Sequence, residues 1–324
     1  MRTIARIAVL AVLCAATPAL AFAQRFAFER TIQTAGPARL DVSTDRGTIE
    51  VVAGRPGRVV IEGAATVRIG WNVPANAVEI AKKVAAAPPI EYVDQTVRLR
   101  IPVDSTAQQA VTVNYRVEVP PGTDVRTRTD SGATSIRGVD GAVDIRTQSS
   151  AIDVADVSGA VQIATASGAV RVSDVSGALS VTTSSSAITL SGLGSSLRAR
   201  TQSGEINASL RGTGDVDAET GSSAITLQGL RGGLAVRTQS GRVSLQGAPT
   251  REWRATTGSS AVSLDLEQAS SFLLDASSRS GNVELIGARV DGLVTKHAAN
   301  GAVGKGGPTV MVRTGSGAIR VQHP

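Results

Sequence analysis

The sequence has one cysteine, two histidines and eight aromatic residues among 324 positions, and each shortage excludes a class of protein. Because Cys14 is the only cysteine, no disulfide can brace the chain, and the residues after it offer no thiol for catalysis or metal binding. With so few aromatic side chains, the core must be built from Val, Ile, Leu and Ala. The composition therefore favours a thin, regular interior over a bulky globular core.

Lysine is also scarce, with only Lys82, Lys83, Lys296 and Lys305, so nearly all of the positive charge comes from arginine. The formal net charge is +6, and it falls to +4 if Arg2 and Arg6 are removed with a leader. This excess is spread along the chain. This spread-out charge permits weak attraction to anionic glycans or lipopolysaccharide. It does not form the basic cluster that is typical of a nucleic-acid-binding surface.

Residues 1–23 are predicted to be a signal peptide. Two arginines precede an apolar stretch from Ile7 to Ala16, and small residues precede a cleavage site after Ala23. A membrane anchor is disfavoured because the stretch is shorter than the roughly 20 residues that span a bilayer. A lipoprotein is disfavoured because no small residue directly precedes Cys14. The expectation is an exported protein, periplasmic or at the cell surface, with no integral membrane segment after cleavage.

One short phrase, Thr-x-Ser-Gly/Ser, recurs through the rest of the chain. It begins at threonines spaced by 18, 18, 18, 18, 19, 18 and 19 residues, namely Thr129, Thr147, Thr165, Thr183, Thr201, Thr220, Thr238 and Thr257. A fixed short period is typical of a stacked repeat array. The phrase alternates Ser-Ser with Ser-Gly, which makes a superperiod of two repeats that the sequence alone does not explain.

Each repeat contains two runs of alternating apolar and polar residues, such as Val143-Asp-Ile145 and Ile152-Asp-Val154. Alternation of period two puts the apolar side chains on one face of a strand. The fold class predicted is therefore all-β, a two-sided parallel β-solenoid with about 18 residues per turn. The recurrent threonine falls in the inward register, where it is predicted to form a structural ladder.

The predicted organisation is a signal peptide (1–23), an irregular N-terminal β region (24–120) and the solenoid array (121–324). In the irregular region, alternation predicts strands at 58–62 and 65–69. Helix-forming residues between Pro74 and Pro88 predict one short helix at 74–87 that covers an open end of the sheets. Lys296 and Lys305 fall at inward positions, so the segment 295–308 is predicted to be a loop or a register slip.

A family resemblance rests on two features of the sequence. One is the run Tyr115-Arg-Val-Glu-Val-Pro-Pro-Gly-Thr-Asp-Val, and the other is Thr129-Asp-Ser-Gly-Ala with the later Thr-x-Ser-Gly phrases. The sequence resembles the bacterial family of exported β-strand-repeat proteins of unknown function called putative adhesins, of the head-GIN type. The resemblance covers nearly all of residues 38–324. It implies a β-solenoid-like fold and carries over no catalytic residue.

Candidate catalytic groups are few. A Ser-His-Asp arrangement would have to use His297, and the outward acids Asp144, Asp153, Asp217 and Glu219 are scattered among arginines and threonines. The corners lack the Gly-Gly-x-Gly-x-Asp pattern of calcium-binding β-rolls. The sequence therefore predicts no enzyme, no cofactor and no metal.

Outward arginines on the second strand of each repeat form a candidate face for an anionic ligand: Arg146, Arg198, Arg200 and Arg237. The competing interpretation is a solvated surface that keeps the protein soluble. The function predicted is a non-enzymatic cell-envelope or surface protein, an adhesin-like scaffold that binds an anionic envelope polysaccharide or another surface protein. The alternative is a polysaccharide-processing enzyme on a β-helix scaffold.

Overall fold

The computed structural model describes residues 24–102 and 104–324, so the predicted signal peptide lies outside the described residues. Two long sheets face each other across a continuous aliphatic core. Before the regular array there are nine strands and two helices: β1 Arg25–Gln33, β2 Arg39–Thr44, β3 Ile49–Ala53, β4 Arg58–Val67, α1 Ala77–Ala86, β5 Ile90–Val93, β6 Thr96–Leu99, α2 Ser105–Ala110, β7 Val111–Val119, β8 Asp124–Thr129 and β9 Thr134–Arg137.

The array continues with strands that belong alternately to the two sheets, and a hairpin interrupts it near its end. Its strands are β10 Val143–Ser149, β11 Ile152–Val157, β12 Val161–Ser167, β13 Val170–Val175, β14 Leu179–Thr183, β15 Ile188–Leu193, β16 Leu197–Thr201, β17 Ile206–Leu210, β18 Val216–Thr220, β19 Ile225–Leu230, β20 Leu234–Thr238, β21 Val243–Gly247, β22 Trp253–Thr257, β23 Val262–Leu266, β24 Phe272–Ser278, β25 Val283–Ile286, β26 Val290–Val294, β27 Ala298–Val303, β28 Thr309–Thr314 and β29 Ile319–Gln322.

The 14-stranded sheet has the order β1-β4-β7-β3-β9-β11-β13-β15-β17-β19-β21-β23-β29-β25. The 15-stranded sheet has the order β26-β27-β24-β28-β22-β20-β18-β16-β14-β12-β10-β8-β2-β6-β5. Equivalent residues of successive repeats stand side by side, as Val143, Val161 and Leu179 do. The predicted two-sided parallel solenoid is confirmed. Both sheets also run without a break across residue 120, because β2 pairs with β8 and β3 pairs with β9.

The recurrent threonine forms a buried row along the inner face of the 15-stranded sheet, as predicted. Strand pairing aligns Thr129 with Thr147, and the row continues in register through Thr257 to Thr314 and Ser278. Each of these side chains is buried. A buried hydroxyl needs a hydrogen-bond partner, and these hydroxyls find one either in the corner that follows, as Thr201 does, or in the preceding turn, as Thr220 does.

The alternation of Ser-Gly and Ser-Ser corners has a physical cause. In the Ser-Gly corners at Gly204 and Gly241 the glycine N–H donates to the threonine three residues before it, to Thr201 Oγ1 and Thr238 Oγ1 at 3.0 Å. The corner at Gly168 differs, because the Thr165 hydroxyl donates to the Ser167 carbonyl instead. Gly204 also lies on the carbonyl of the preceding Ser-Ser corner, so a Cβ on Gly204 would lie 1.7 Å from Ser186 O. In the next Ser-Ser corner, the Thr220 hydroxyl donates back to Gly204 O at 3.0 Å. From Thr201 to Thr257 the hydrogen bonds of the corners therefore repeat every two turns.

Replacing Thr201 by valine tests the ladder. The change keeps the shape of the side chain but leaves the Gly204 N–H without its acceptor in a buried corner, and we expect the free energy of unfolding to fall by about 1–3 kcal/mol. Urea denaturation measures this loss. Thr182→Val is the matched control, because Thr182 lies one turn earlier on the exposed outer face of the same sheet. Equal stability of the two variants would contradict the ladder.

The N-terminal end is covered by helical structure. Helix α1 lies within the predicted interval 74–87 and packs Ala77, Ala81 and Val84 against the sheet end formed by β1 and β4. A second helix, α2, was not predicted; Asp104 caps it by accepting from the Thr106 N–H at 3.0 Å. Strand β4 ends at Val67, so the predicted strand over 65–69 is wrong at its end, and Ile69 lies in an exposed loop.

At the C-terminal end, chain order and stacking order differ. The last turn, β28 with β29, lies between the turn β22–β23 and the turn β24–β25. Ion pairs join this inserted turn to its outer neighbour, with Arg313 Nη2 2.6 Å from Asp275 Oδ2 and Arg320 Nη2 3.0 Å from Glu284 Oε2. The His323 ring packs edge-on against Phe272. The last turn is thus an internal layer of the stack.

The predicted loop or register slip at 295–308 is corrected by the structure. The segment contains β27, which pairs antiparallel with β24 on one side and β26 on the other. The hairpin of β26 and β27 extends the 15-stranded sheet and buries Ala299 and Val303. Lys296 and Lys305 lie in the turns that flank β27 and are exposed, so no charge is buried.

Candidate functional site

A groove of about 1420 Å³ runs along the outer face of the 15-stranded sheet. Its lining comes from ten adjacent strands, from β6 and β2 through β8 and then each strand of that sheet to β22. At a strand spacing of about 4.8 Å, ten strands span about 43 Å. The groove is therefore long enough for an extended polymer and is open along its length.

The floor of the groove is built from the residue that precedes each strand and from the second residue of the strand. Small residues occupy the first position in the middle of the groove, at Ala142, Ala160, Ala178 and Ser196. Just before them, the corner glycines Gly159 and Gly177 admit no side chain, since a Cβ on either would lie 2.2 Å from the carbonyl oxygen of the preceding corner. Tight glycine corners and small floor residues together make the groove possible.

Charges along the groove occur in two blocks that an uncharged window separates. The residues that stand in register with Asp144, the second residue of β10, are in order across the sheet Arg98, Asp41, Arg126, Asp144, Gln162, Ser180, Arg198, Asp217, Ala235 and Arg254. The whole lining contains six arginines and six carboxylates, so its formal charge is zero. The uncharged window (Gln162, Ser180 and the adjacent outward Ala164 and Thr182) spans β12 and β14.

The four arginines predicted as an anionic-ligand face all lie exposed on this sheet, and Arg198 and Arg237 line the groove. Three of the four are engaged by carboxylates of the same face. Arg146 Nε is 3.3 Å from Asp144 Oδ1, Arg198 Nε is 3.4 Å from Asp217 Oδ2, and Arg200 Nη2 is 3.0 Å from that same oxygen. Arg237 stands in register between Glu219 and Thr256.

The arginines of these ion pairs are exposed, whereas the side chains of Asp144 and Asp217 are only 19% and 25% exposed. Displacing either carboxylate from its arginine would leave a half-buried charge without its partner, so a carboxylate or phosphate on a ligand would have to bind the remaining N–H donors of the arginines. Arginine can offer such a group two parallel N–H donors. The face is thus a mixed-charge surface with accessible arginines, and its charge does not exclude neutral ligands.

The residues weighed for catalysis do not come together. Asp144 and Asp217 lie in the groove but are each held by two arginines, whereas Asp153 belongs to β11 on the opposite sheet. His297 lies at the turn before β27, and its Nδ1 is 2.7 Å from the carbonyl oxygen of Gly281. Within residues 24–102 and 104–324, no group of three His, Cys, Asp or Glu side chains could hold a metal ion.

Among the residues that the structure describes, Tyr115 is a buried titratable side chain, and it lies outside the groove. Burial raises the pKa of the Tyr115 hydroxyl above its usual range, and the hydroxyl lies 3.5 Å from the Arg100 carbonyl oxygen. The ring packs edge-on against Phe28 near the N-terminal end. Tyr115 is therefore a neutral core residue.

Neither helix of the described residues is long and apolar enough to cross a bilayer.

The fold and groove define the class of protein: a capped, two-sided β-solenoid with an open groove on one face. The family model described as Toastrack DUF4097 matches residues 91–322, which is more than two thirds of the chain. The chain belongs to this family. The resemblance to a family of unknown function stated from the sequence is thereby confirmed, and the residues matched include the array but not α1.

Two solved structures are similar to this chain over most of its length. A putative cell adhesion protein from Clostridium sporogenes is 11% identical with a TM-score of 0.22, covering 92% of this chain and 100% of its own. A putative adhesin from Bacteroides fragilis is 10% identical with a TM-score of 0.29, covering 91% of this chain and 96% of its own. Overlaps of this quality carry no information on function. A search of curated proteins found no match.

Proposed function

We propose that the protein is a non-enzymatic, adhesin-type scaffold of the cell envelope or cell surface that binds a linear polysaccharide along the groove. The observation that carries this proposal is the groove itself, about 1420 Å³ in volume and continuous across ten strands. The signal-peptide pattern of residues 1–23 supports export to a compartment where such polymers are found.

The chemistry of the lining supports a sugar polymer. The uncharged window offers hydroxyl and amide groups from Ser180, Thr182 and Gln162, which match the hydroxyls of a neutral sugar ring. Arg198 and Arg200 lie beside the window on β16, and Arg237 lies two strands further along on β20; all three can take carboxylates or phosphates carried by the same polymer. Strands stacked about 4.8 Å apart repeat these contacts along the groove, which suits a repeating ligand.

Filling the groove tests the proposal. The probes are polygalacturonate, an acidic unbranched polymer, and dextran, a neutral one, titrated calorimetrically against the chain from Gln24. Ala178 is an exposed floor residue, so Ala178→Trp should block the window without disturbing the core. We expect a loss of affinity of at least about tenfold, equivalent to about 1.4 kcal/mol.

The matched control is Thr189→Trp, an equally exposed outward position on β15 of the other sheet, which should leave affinity unchanged. Replacing Arg198, Arg200 and Arg237 together by glutamine should weaken polygalacturonate binding and leave dextran binding intact. If Ala178→Trp and Thr189→Trp bind alike, the groove is not the site. Release of reducing ends from either polymer would instead establish the enzyme alternative.

A further inference from the structure

The loop between β4 and α1 presents two apolar side chains to solvent. Trp71 is 105% exposed and Ile69 is 73% exposed, the two highest values among the exposed large apolar residues. An isolated exposed apolar residue is common, but a tryptophan and an isoleucine at one loop tip are more than the surface average requires. Tryptophan in such a position is typical of contact with an apolar or interfacial partner.

The loop is fastened at both ends, so its tip is held away from the core. The Arg68 N–H donates to the Ala110 carbonyl at 2.9 Å, and Arg68 Nη1 donates to the Gln108 carbonyl at 2.9 Å. Val73 packs against the core, and the Ala77 N–H donates to the Pro74 carbonyl at 3.0 Å. A tethered loop presents Trp71 at a lower entropic cost on binding than a free one.

The elements around the loop are basic. Residues 24–33, 58–87 and 104–110 contain six basic side chains (Arg25, Arg30, Arg58, Arg68, Lys82, Lys83) and four acidic ones (Glu29, Glu62, Glu79, Asp104), which gives a net charge of +2. Helix α1 packs against β1 and β4, which brings these charges to one end of the solenoid. Arg30 Nη2 donates to the Ala86 carbonyl at 2.9 Å, and Lys82 Nζ lies 5.9 Å from the Phe26 ring centre.

We propose that this N-terminal end docks on the surface of an anionic lipid bilayer, with Trp71 and Ile69 entering the interfacial region and the basic side chains contacting headgroup phosphates. An exposed tryptophan and nearby basic residues both favour peripheral attachment to an anionic bilayer, the first through the interfacial region and the second through the surface potential. The inference goes beyond polysaccharide binding, since it uses no groove residue. A protein partner is less favoured because the apolar area is a narrow tip flanked by cations.

The chain contains only two tryptophans, and this makes the test direct. Trp253 is 1% exposed and its Nε1–H donates to the Gly232 carbonyl at 2.8 Å. Its fluorescence emission should therefore stay the same when vesicles are added. The chain from Gln24 contains every strand and helix described and excludes the leader. On addition of vesicles of phosphatidylcholine mixed with phosphatidylglycerol, we expect a blue shift of the emission. The Trp71→Phe variant, which keeps only Trp253, should show none.

Co-sedimentation with the same vesicles measures affinity. Trp71→Ala should lower the partition coefficient by about tenfold, the change expected for keeping one large apolar side chain out of the interface. Lys82→Gln with Lys83→Gln should lower it by roughly tenfold, and added salt should do the same. Leu293→Ala is the matched control, because Leu293 is a 64% exposed apolar residue at the opposite end of the solenoid.

Three results would overturn the proposal. The first is no co-sedimentation of the parent chain with the mixed vesicles at low salt. The second is equal partitioning of Trp71→Ala and Leu293→Ala. The third is a blue shift that appears with rising protein concentration and without vesicles, which would assign the loop to contact between copies of the chain. Loss of polysaccharide binding leaves this proposal standing, so the two proposals fail separately.

Discussion

Replacing Gly204 by alanine is expected to lower the free energy of unfolding by about 3 kcal/mol or more, at the upper end of the cost of overpacking. The added Cβ would lie 1.7 Å from Ser186 O and 2.8 Å from Thr201 Oγ1, and the first of these atoms belongs to the backbone. Relief therefore requires two stacked turns to separate, which weakens the hydrogen bonds on both sides of the corner. Denaturant unfolding monitored by circular dichroism measures the change.

The neighbouring turn provides the control. Ser186 occupies the equivalent corner position one turn earlier, where a Cβ is already present, and its buried hydroxyl has no hydrogen-bond partner. Ser186→Ala should therefore be neutral or slightly stabilising, since it removes an unsatisfied polar group. If Gly204→Ala costs no more than Ser186→Ala, the turns do not stack as closely as the alternation of corners requires.

Ending the chain at Pro308 is the second change with a large expected effect. It removes β28 and β29 and with them the buried Val310, Val312, Ile319 and Val321. Four aliphatic side chains correspond to about 6–12 kcal/mol of gross burial at ~1.5–3 kcal/mol each. The turns on both sides also lose the strand with which they pair. We expect the truncated chain to aggregate or to melt far below the full chain in a thermal scan.

An internal deletion is the matched comparison. Removing residues 161–196 takes out two complete turns, joins Ala160 to Leu197 and brings Gly204 over Ser150, so the alternation of corners is kept. This larger deletion should melt close to the full chain, because stability in a stacked array depends on contacts between neighbours. If the chain ending at Pro308 melts as high as this variant, the outer turn has restacked directly on β22 and β23.

The sequence predicts the repeating part of the fold well because each turn is specified by its own residues. The threonine spacing gives the inner row, and the alternation at Val143-Asp-Ile145 gives the strand faces. It does not predict the order of the last turns. A period along the chain says where turns occur, whereas the position of Thr314 between Thr257 and Ser278 is decided by pairing between distant strands.

The candidate site was predicted only in part for a similar reason. The arginines are visible in the sequence, but their partners come from the next turn, as Asp217 does for Arg198. Comparing residues one repeat apart would have found such pairs. The groove itself could not be predicted, because its floor is made of small residues. In the sequence Ala142, Ala160 and Ala178 look like short connections between strands, and only the sheet shows that they line up. Helix α2 was missed because six residues carry little periodicity.

The inserted last turn also sets the order in which the molecule can be completed. Synthesis delivers β24, β25 and the β26–β27 hairpin before the strands that must lie beneath them. The C-terminal end of the solenoid therefore cannot close until β28 and β29 have been synthesised. Until then β24 and β25 lack the parallel partners that join them to the rest of the stack, so this part of the molecule must complete its folding late.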